Sequence, residues 1–527
     1  MPGNEAFLRP DVYVFEEGVG AQPLQVGTTS TAAFIDTATW GPIGKPVLIT
    51  SAQEGYRMFG SDDSVSWLPV ALKRFFQMGG KRCYVVRTAH YTDLNDPTTY
   101  TAVQASVTLD DGNETAPTNL LEIKAKYPGT FGNKIQVVIS GVDATAGTFD
   151  LSVYIKNALN QWLVVERYKD LTLDETANNF VETRINEGSA EMPRGSQYIE
   201  VTALYTLSDK VPVAGTYTLT GGDDGTTGIV AADYVGTQAG KTGLYALDEV
   251  DELLNICHPG NTSTEVILGG LTYVYNNPYR QPPQTDLYVY DIPLGYTPQE
   301  ALTFVDTTIA NATGYEAVYY PWVKISNRYE PLAPYALGLY AWNDLLYGVW
   351  KAPAGVNYKL PVTGFAYDVT LGDHELLNEA GINVAVLKEG WGRVIFGART
   401  RLVHTYMRYL NVRRLINIIK KTLYRGGQQF VFEPNAPKTW AKVEDTARAL
   451  LMYFHSLGAF AGKTPEESFY AKCDRDTNPP ELVDQGIMTC EVGICPVKPA
   501  EFVVFNVLIY PEGALPAGEA MTNLYEG

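Results

Sequence analysis

Hydrophobic positions along the chain change period, and the changes predict the elements. Between Thr31 and Arg87, short apolar runs predict strands over 32–35, 46–49 and 83–87 around a helix near 67–78. In that helix Trp67, Leu68, Ala71, Phe75 and Met78 fall on one side, and Gly79 and Gly80 close it. From about 91 to 238, polar turns separate alternating runs, which predicts strands at 121–125, 134–140, 149–155, 162–167 and 216–220. From about 244 the mixed pattern returns. It gives a strand over 286–290, a helix opened by a capping box of Thr297 and Glu300, and a strand over 316–320. The last third predicts strands at 382–387 and 393–396, then a helix over 411–425 with Val412, Leu415, Ile416, Ile419 and Leu423 in one stripe. A strand over 429–433 and a helix over 438–457 follow, the helix turning Trp440, Val443, Ala447, Leu450, Leu451 and Phe454 inward. Strands at 491–494 and 502–510 end the pattern.

Two terminal segments are apolar on both faces. Near the start, Val12 and Val14 share one face and Tyr13 and Phe15 the other. Near the end, Phe502, Val504 and Leu508 oppose Val503, Phe505, Val507 and Ile509. A strand with two apolar faces and few covalent neighbours either enters its own sheet centrally or pairs with another chain by strand addition.

This is an α/β and α+β multidomain pattern: a mixed α/β core, an inserted β-rich domain and extended N- and C-terminal arms. The expected divisions are an arm over 1–22, core segments over 23–90 and 239–365, the insertion over 91–238, a C-terminal domain over 366–510 and a tail over 511–527. The length of 527 residues, about three and a half times a ~150-residue domain, fits several cores.

Composition narrows the function. The chain is 45% hydrophobic and 19% charged, as globular proteins are. A formal charge of −19 repels phosphate backbones and anionic headgroups, so no nucleic-acid partner is expected. No apolar run approaches the ~18 residues that span a bilayer, so no membrane insertion is expected, and the first 15 residues lack the pattern of an export signal. The five cysteines are too scattered for a disulfide framework and suit a reducing cytoplasm. Cys473, Cys490 and Cys495 have neither a CxxC spacing nor a nearby His, so no metal is expected.

Chemical motifs fail one by one. Gly240-Lys241-Thr242 ends like a phosphate-binding loop, but Val235 stands where its first glycine belongs. His374 and Glu375 open a zinc-helix pattern, but Asn378 replaces the second imidazole. Asp474, Asp476 and Asn478 have calcium-loop spacing, but Pro479 and Gln485 occupy the turn and bidentate positions. The segment Gly221–Gly225 reads as a turn between strands. Adjacent Cys257 and His258 point to opposite faces of a strand, so they form no thiolate dyad. No catalytic residue and no cofactor is expected.

Several blocks resemble the contractile tail sheath family of myovirus phages, R-type pyocins and related contractile injection systems. They include Arg9–Glu17, Thr28–Ile35, Trp40–Val47 and Phe75–Arg87, then Tyr319–Val323, Val349–Gly355, Ile382–Val384 and Phe396–Thr400. The closing blocks are Tyr409–Leu415, Phe432–Asn435, Trp440, Gly458–Gly462, Lys472–Asp474 and Val497–Phe502. Their order is shared over residues 9–87 and 244–507, and only loosely over 91–238, at Lys126–Asn133 and Gly221–Gly225.

The resemblance implies a non-enzymatic structural subunit that polymerises as stacked sixfold rings around a tail tube and contracts to drive the tube through a target envelope. It implies partners in other copies of itself, the tube protein, and baseplate and tail terminator proteins. Assembly is then expected in the host bacterial cytoplasm, with residence in a virion tail or injection particle. Arms carrying Val12, Tyr13, Val14 and Phe15, and Phe502, Val504, Phe505 and Val507, would add strands to neighbouring subunits. A basic run, Arg408, Arg413, Arg414, Lys420, Lys421 and Arg425, stands out against the acidic background. It reads either as a face toward the tube or an acidic neighbour, or as a solvated helix face with local ion pairs. The alternatives to a sheath are another self-assembling protein, of a surface layer or capsid, and an α/β enzyme.

Overall fold

The computed structural model describes residues 30–157, 159–188 and 194–501. The first strands are Thr31–Asp36 (β1), Val47–Ile49 (β2) and Cys83–Arg87 (β3). The inserted segment supplies Ser106–Asp110 (β4), Asn119–Ala125 (β5), Ile135–Asp143 (β6), Thr148–Lys156 (β7), Trp162–Thr172 (β8), Ile199–Ala203 (β9) and Gly215–Thr218 (β10). Then come Leu254–Cys257 (β11), Leu287–Asp291 (β12), Glu316–Tyr320 (β13), Val323–Ile325 (β14), Arg328–Glu330 (β15), Gly364–Phe365 (β16), Ile382–Lys388 (β17) and Gly392–Ile395 (β18). Phe469–Lys472 (β19) and Glu491–Ile494 (β20) are the last described strands.

The central sheet has eight strands in the order β18-β17-β13-β12-β11-β1-β3-β2. It is parallel from β3 to β17, and β2 and β18 join antiparallel at its edges. Helices cover both faces, which is why its strands are continuously apolar rather than alternating. In β1, Ala32 and Phe34 pack with the Leu68–Gln77 and Ala333–Leu346 helices. Ala33 and Ile35 pack on the other face, with the Thr264–Asn276 and Leu371–Glu379 helices. The division expected at 365/366 falls inside this sheet, because β17 pairs with β13 at Ile382 opposite Val318.

The inserted segment forms two antiparallel sheets, β4-β5-β9 and β10-β6-β7-β8, over one core that includes Ile123, Val137, Leu151 and Val201. Trp40, from the segment after β1, is buried in that core, edge-on to Tyr127 at 5.3 Å and tilted against Phe131 at 5.0 Å. Arg87, at the end of β3, is fully buried and donates to the carbonyls of Gly41 at 2.8 Å and Pro128 at 2.7 Å. Burial pushes its guanidinium down to about 10, against the pull of Asp224. Gly129 closes the same contact: a Cβ there would lie 2.2 Å from the Thr39 carbonyl oxygen.

Two long helices, Leu410–Gly427 and Pro437–Ser456, carry the C-terminal region. The strand expected over 429–433 is not formed. Gln428–Phe430 is a turn of 3₁₀ helix, and Val431 and Phe432 are exposed, Phe432 at a φ of +70°. Pro434 lacks the N–H a ladder needs, and among the described residues no strand pairs with this run.

Candidate assembly site in the C-terminal region

The β19–β20 hairpin is the element most suited to join another chain. Phe469 and Ala471, alternate residues of β19, enter a core with Leu450, Leu451 and Phe454 of the 437–456 helix and Leu415, Ile418 and Ile419 of the 410–427 helix. β20 pairs with β19 antiparallel, Phe469 opposite Ile494 and Lys472 opposite Glu491. Past β20 the chain continues beside residues 459–461: Ala461 N–H donates to Cys495 O at 2.7 Å and Val497 N–H to Ala459 O at 3.2 Å. The hairpin is anchored on one face by the helices. Among the described residues it forms a sheet of two strands, neither paired with a third.

A two-stranded sheet held on a rigid base exposes two rows of backbone donors and acceptors, which is the arrangement strand addition uses. Tyr470 and Glu491 hold its solvent face with a 2.6 Å hydroxyl–carboxylate bond. The sequence pattern had singled out 491–494 but not Phe469–Lys472. The alternation of Phe469 and Ala471 with Tyr470 and Lys472 was the available signal, in a run of only four residues.

The arm residues Val12, Tyr13, Val14 and Phe15 and the terminal-strand residues Phe502, Val504, Phe505 and Val507 lie outside the described residues. The basic helix is fully placed, and its buried cations Arg413, Arg414 and Lys421 fit neither sequence reading. Arg413 and Arg414 are buried, and neither faces solvent. The Arg413 guanidinium stacks 4.0 Å over the Tyr315 ring, and burial lowers its pKa. Arg414 pairs with Asp344 of the Ala333–Leu346 helix, Nη1–Oδ1 at 3.0 Å and Nη2–Oδ2 at 2.5 Å, and lies 4.6 Å over the Tyr340 ring.

Lys420, Lys421 and Arg425 of this helix also turn to their own chain. Lys420 donates to the carbonyls of Pro283 at 3.1 Å and Gln284 at 3.0 Å, and burial lowers its pKa. Lys421, buried, donates to Asp251 Oδ1 at 2.6 Å, and Arg425 reaches Asp251 Oδ2 at 3.3 Å. Burial would raise the Asp251 carboxyl, but Lys421 and Arg425 outweigh it and hold it below its usual range. The helix face read as a contact for a tube is therefore a seam between the C-terminal helices and the central sheet. Of the six basic residues, Arg408, ahead of the helix, is exposed and lies 4.9 Å over the Tyr409 ring, Lys420 and Arg425 are half-buried, and the rest are buried.

No catalytic constellation emerges among the described residues. His258 is buried against the Tyr288 hydroxyl at 2.9 Å, and burial pushes its pKa down to about 4. The Asp474 loop is closed by its own turn, with Asp474 Oδ1 accepting the Asp476 N–H at 2.9 Å. No described helix is long and apolar enough to cross a membrane.

Comparison with known proteins places these regions. Residues 29–88 match the N-terminal region of domain III of the Gp18 tail sheath protein. Residues 404–509, which contain both C-terminal helices and the hairpin, match the phage tail sheath C-terminal domain. The tail sheath protein of Vibrio phage KVP40 is 29% identical over 205 residues, 38% of this chain and 30% of that protein. That of Enterobacteria phage T4 is 26% identical over 213 residues, 40% of this chain and 31% of that protein. The matched segment thus spans about a third of each of these curated relatives. The fold agrees over nearly the whole chain with the helical sheath of the anti-feeding prophage in its contracted state, at a TM-score of 0.57 and 20% identity, covering 95% of this chain and 98% of that one. With two sheath-domain matches at opposite ends of the chain and a fold shared along its length, the chain is similar to contractile tail sheath proteins.

Proposed function

We propose that the chain is the structural subunit of a contractile tail sheath, polymerising as stacked sixfold rings around a tail tube and contracting to drive that tube through a target envelope. Its partners on this reading are other copies of itself, the tube, and baseplate and tail terminator proteins. It assembles in the host bacterial cytoplasm, resides in the tail particle, and performs no catalysis. The observation that carries the reading is the β19–β20 sheet, anchored on one face and open at its edges among the described residues, within the segment matched to the sheath C-terminal domain.

The arms are the natural occupants of those edges. An added six-residue strand makes about five hydrogen bonds at ~0.5–1.5 kcal/mol each, while ordering it costs ~1–2 kcal/mol per residue. Hydrogen bonding alone leaves one joint marginal. Burying Val12, Tyr13, Val14 and Phe15 at roughly 1.5–3 kcal/mol each tips the balance, and repetition through a lattice makes the joints hold together. The test is deletion of residues 1–17 followed by electron microscopy under conditions in which the full chain forms tubes. Loss of tubes, with the monomer still folded by circular dichroism, is expected. Full-length tubes from the truncated chain would refute the arm as the joint.

A further inference from the structure

Two cysteines stand opposite each other at one end of the β19–β20 hairpin. The last paired position sets Lys472 against Glu491, so the next position outward sets Cys473 against Cys490. Directly opposed residues of an antiparallel pair have Cα atoms about 4.5–5.5 Å apart, inside the roughly 4.4–6.8 Å that a disulfide spans. Alternate residues share a face, so both cysteines lie on the face of Ala471 and Val492; Cys490 packs against the core under the 437–456 helix, and the Cys473 N–H donates to Glu444 of that helix at 3.1 Å. Each thiol is near enough to shift the other's pKa, and Asn478 Nδ2 lies 3.8 Å from Cys473 Sγ. Cys473 is buried and Cys490 half-buried. Cys83 and Cys257 are buried in the central sheet, and Cys495 is exposed.

We propose that Cys473 and Cys490 are an oxidative modification site, converted by a small-molecule disulfide such as oxidised glutathione into a cross-strand disulfide that ties β19 to β20. Cys490, the more accessible, attacks one sulfur of the oxidant as a thiolate. The oxidant's S–S bond breaks, a mixed disulfide forms at Cys490 Sγ, and one glutathione thiolate leaves. The Cys473 thiolate then attacks Cys490 Sγ and expels the second glutathione. Two protein thiols lose two protons and two electrons, and one glutathione disulfide becomes two thiols. Burial raises both thiols, Cys490 to about 12, so the reaction is slow at neutral pH and quickens as pH rises.

The bond encloses residues 474–489, and a closed loop of that length restrains opening of the hairpin by on the order of 100-fold. This site stands independently of the sheath reading. The test uses the full chain, held folded at pH 8.5 with oxidised glutathione, then alkylated, digested without reductant and mapped by mass spectrometry. A peptide joining Cys473 to Cys490 is expected, absent from Cys490→Ser and present in Cys495→Ser. Amide exchange across β19 and β20 is expected to slow about 100-fold on oxidation and to recover on reduction. Recovery of both cysteines as free thiols, accumulation of a glutathione adduct on Cys490 beside a free Cys473, linkage of Cys490 to Cys495, or unchanged amide exchange in the linked protein would each overturn the proposal.

Discussion

Replacing Arg414 by Met distinguishes a cation that holds the subunit together from one that grips a partner. The Arg414 and Asp344 side chains are 3% and 6% exposed, so water screens the pair little. Met fills much of the same apolar volume beside Tyr340 but leaves the Asp344 carboxylate buried without its guanidinium, which costs about 3–5 kcal/mol. Neutralising both partners removes that uncompensated charge. The double variant Arg414→Met with Asp344→Asn is therefore expected to recover about half the loss or more, a coupling of roughly 2 kcal/mol or above. The assay is equilibrium urea unfolding of the wild type, both single variants and the double variant, read by tryptophan fluorescence. Wild-type stability in Arg414→Met combined with failure to assemble would refute the reasoning, because Arg414 would then act on another molecule and not on Asp344.

Asp291 gives a pH prediction. Burial raises its carboxyl from 3.8 to about 7, partly offset by the N–H groups of Leu332 and Ala333, both bound to Oδ1 at 2.9 Å. The folded pKa lies above the unfolded one, so the contribution to stability is full below about pH 4 and is lost as pH rises to 7. Asp291→Asn keeps an acceptor at Oδ1 and carries no charge, so it should gain stability relative to wild type between pH 5 and pH 8, by up to about 4 kcal/mol; a pH-independent difference in urea midpoints contradicts this. Trp40→Ala removes the ring wedged between Tyr127 and Phe131 and should cost about 3–5 kcal/mol, with residues 91–238 becoming sensitive to limited proteolysis first. Gly129→Ala, with its Cβ driven to 2.2 Å from the Thr39 carbonyl oxygen at a φ of +134°, should lower the thermal midpoint or prevent folding, whereas Gly221→Ala, with open space around its Cβ, pays only for its positive φ.

Much of the fold was legible where local pattern and global role agree. The 68–77 helix, β3, β13 and the two C-terminal helices fall within a residue or two of the apolar stripes that predict them, and the Thr297–Glu300 capping box forms as spaced. Helices 52–59, 264–276, 333–346 and 371–379 escaped notice. The first and last carry cap signals, Ser51 accepting from the Glu54 N–H and Thr370 from the Asp373 N–H, and the middle two are apolar nearly all round and show little periodicity. The basic helix was misread for a different reason. Arg413 and Lys420, like Arg414 and Lys421, are seven residues apart and share a face, which local spacing reads as a charged surface. Their partners lie at Asp251, Pro283, Gln284, Tyr315 and Asp344, far away in sequence, and only the packing of the helix on the sheet brings them together. The strand over 429–433 failed likewise: an apolar run forms a strand only where an edge awaits it.

Negative-stain electron microscopy of the purified full chain, alone and with its tail tube, tests most directly the proposal that this subunit builds a sheath. Helical tubes or stacked sixfold rings are predicted, with a diameter that assigns the extended or contracted lattice. A subunit that stays monomeric and monodisperse even in the presence of tube and baseplate would contradict the account.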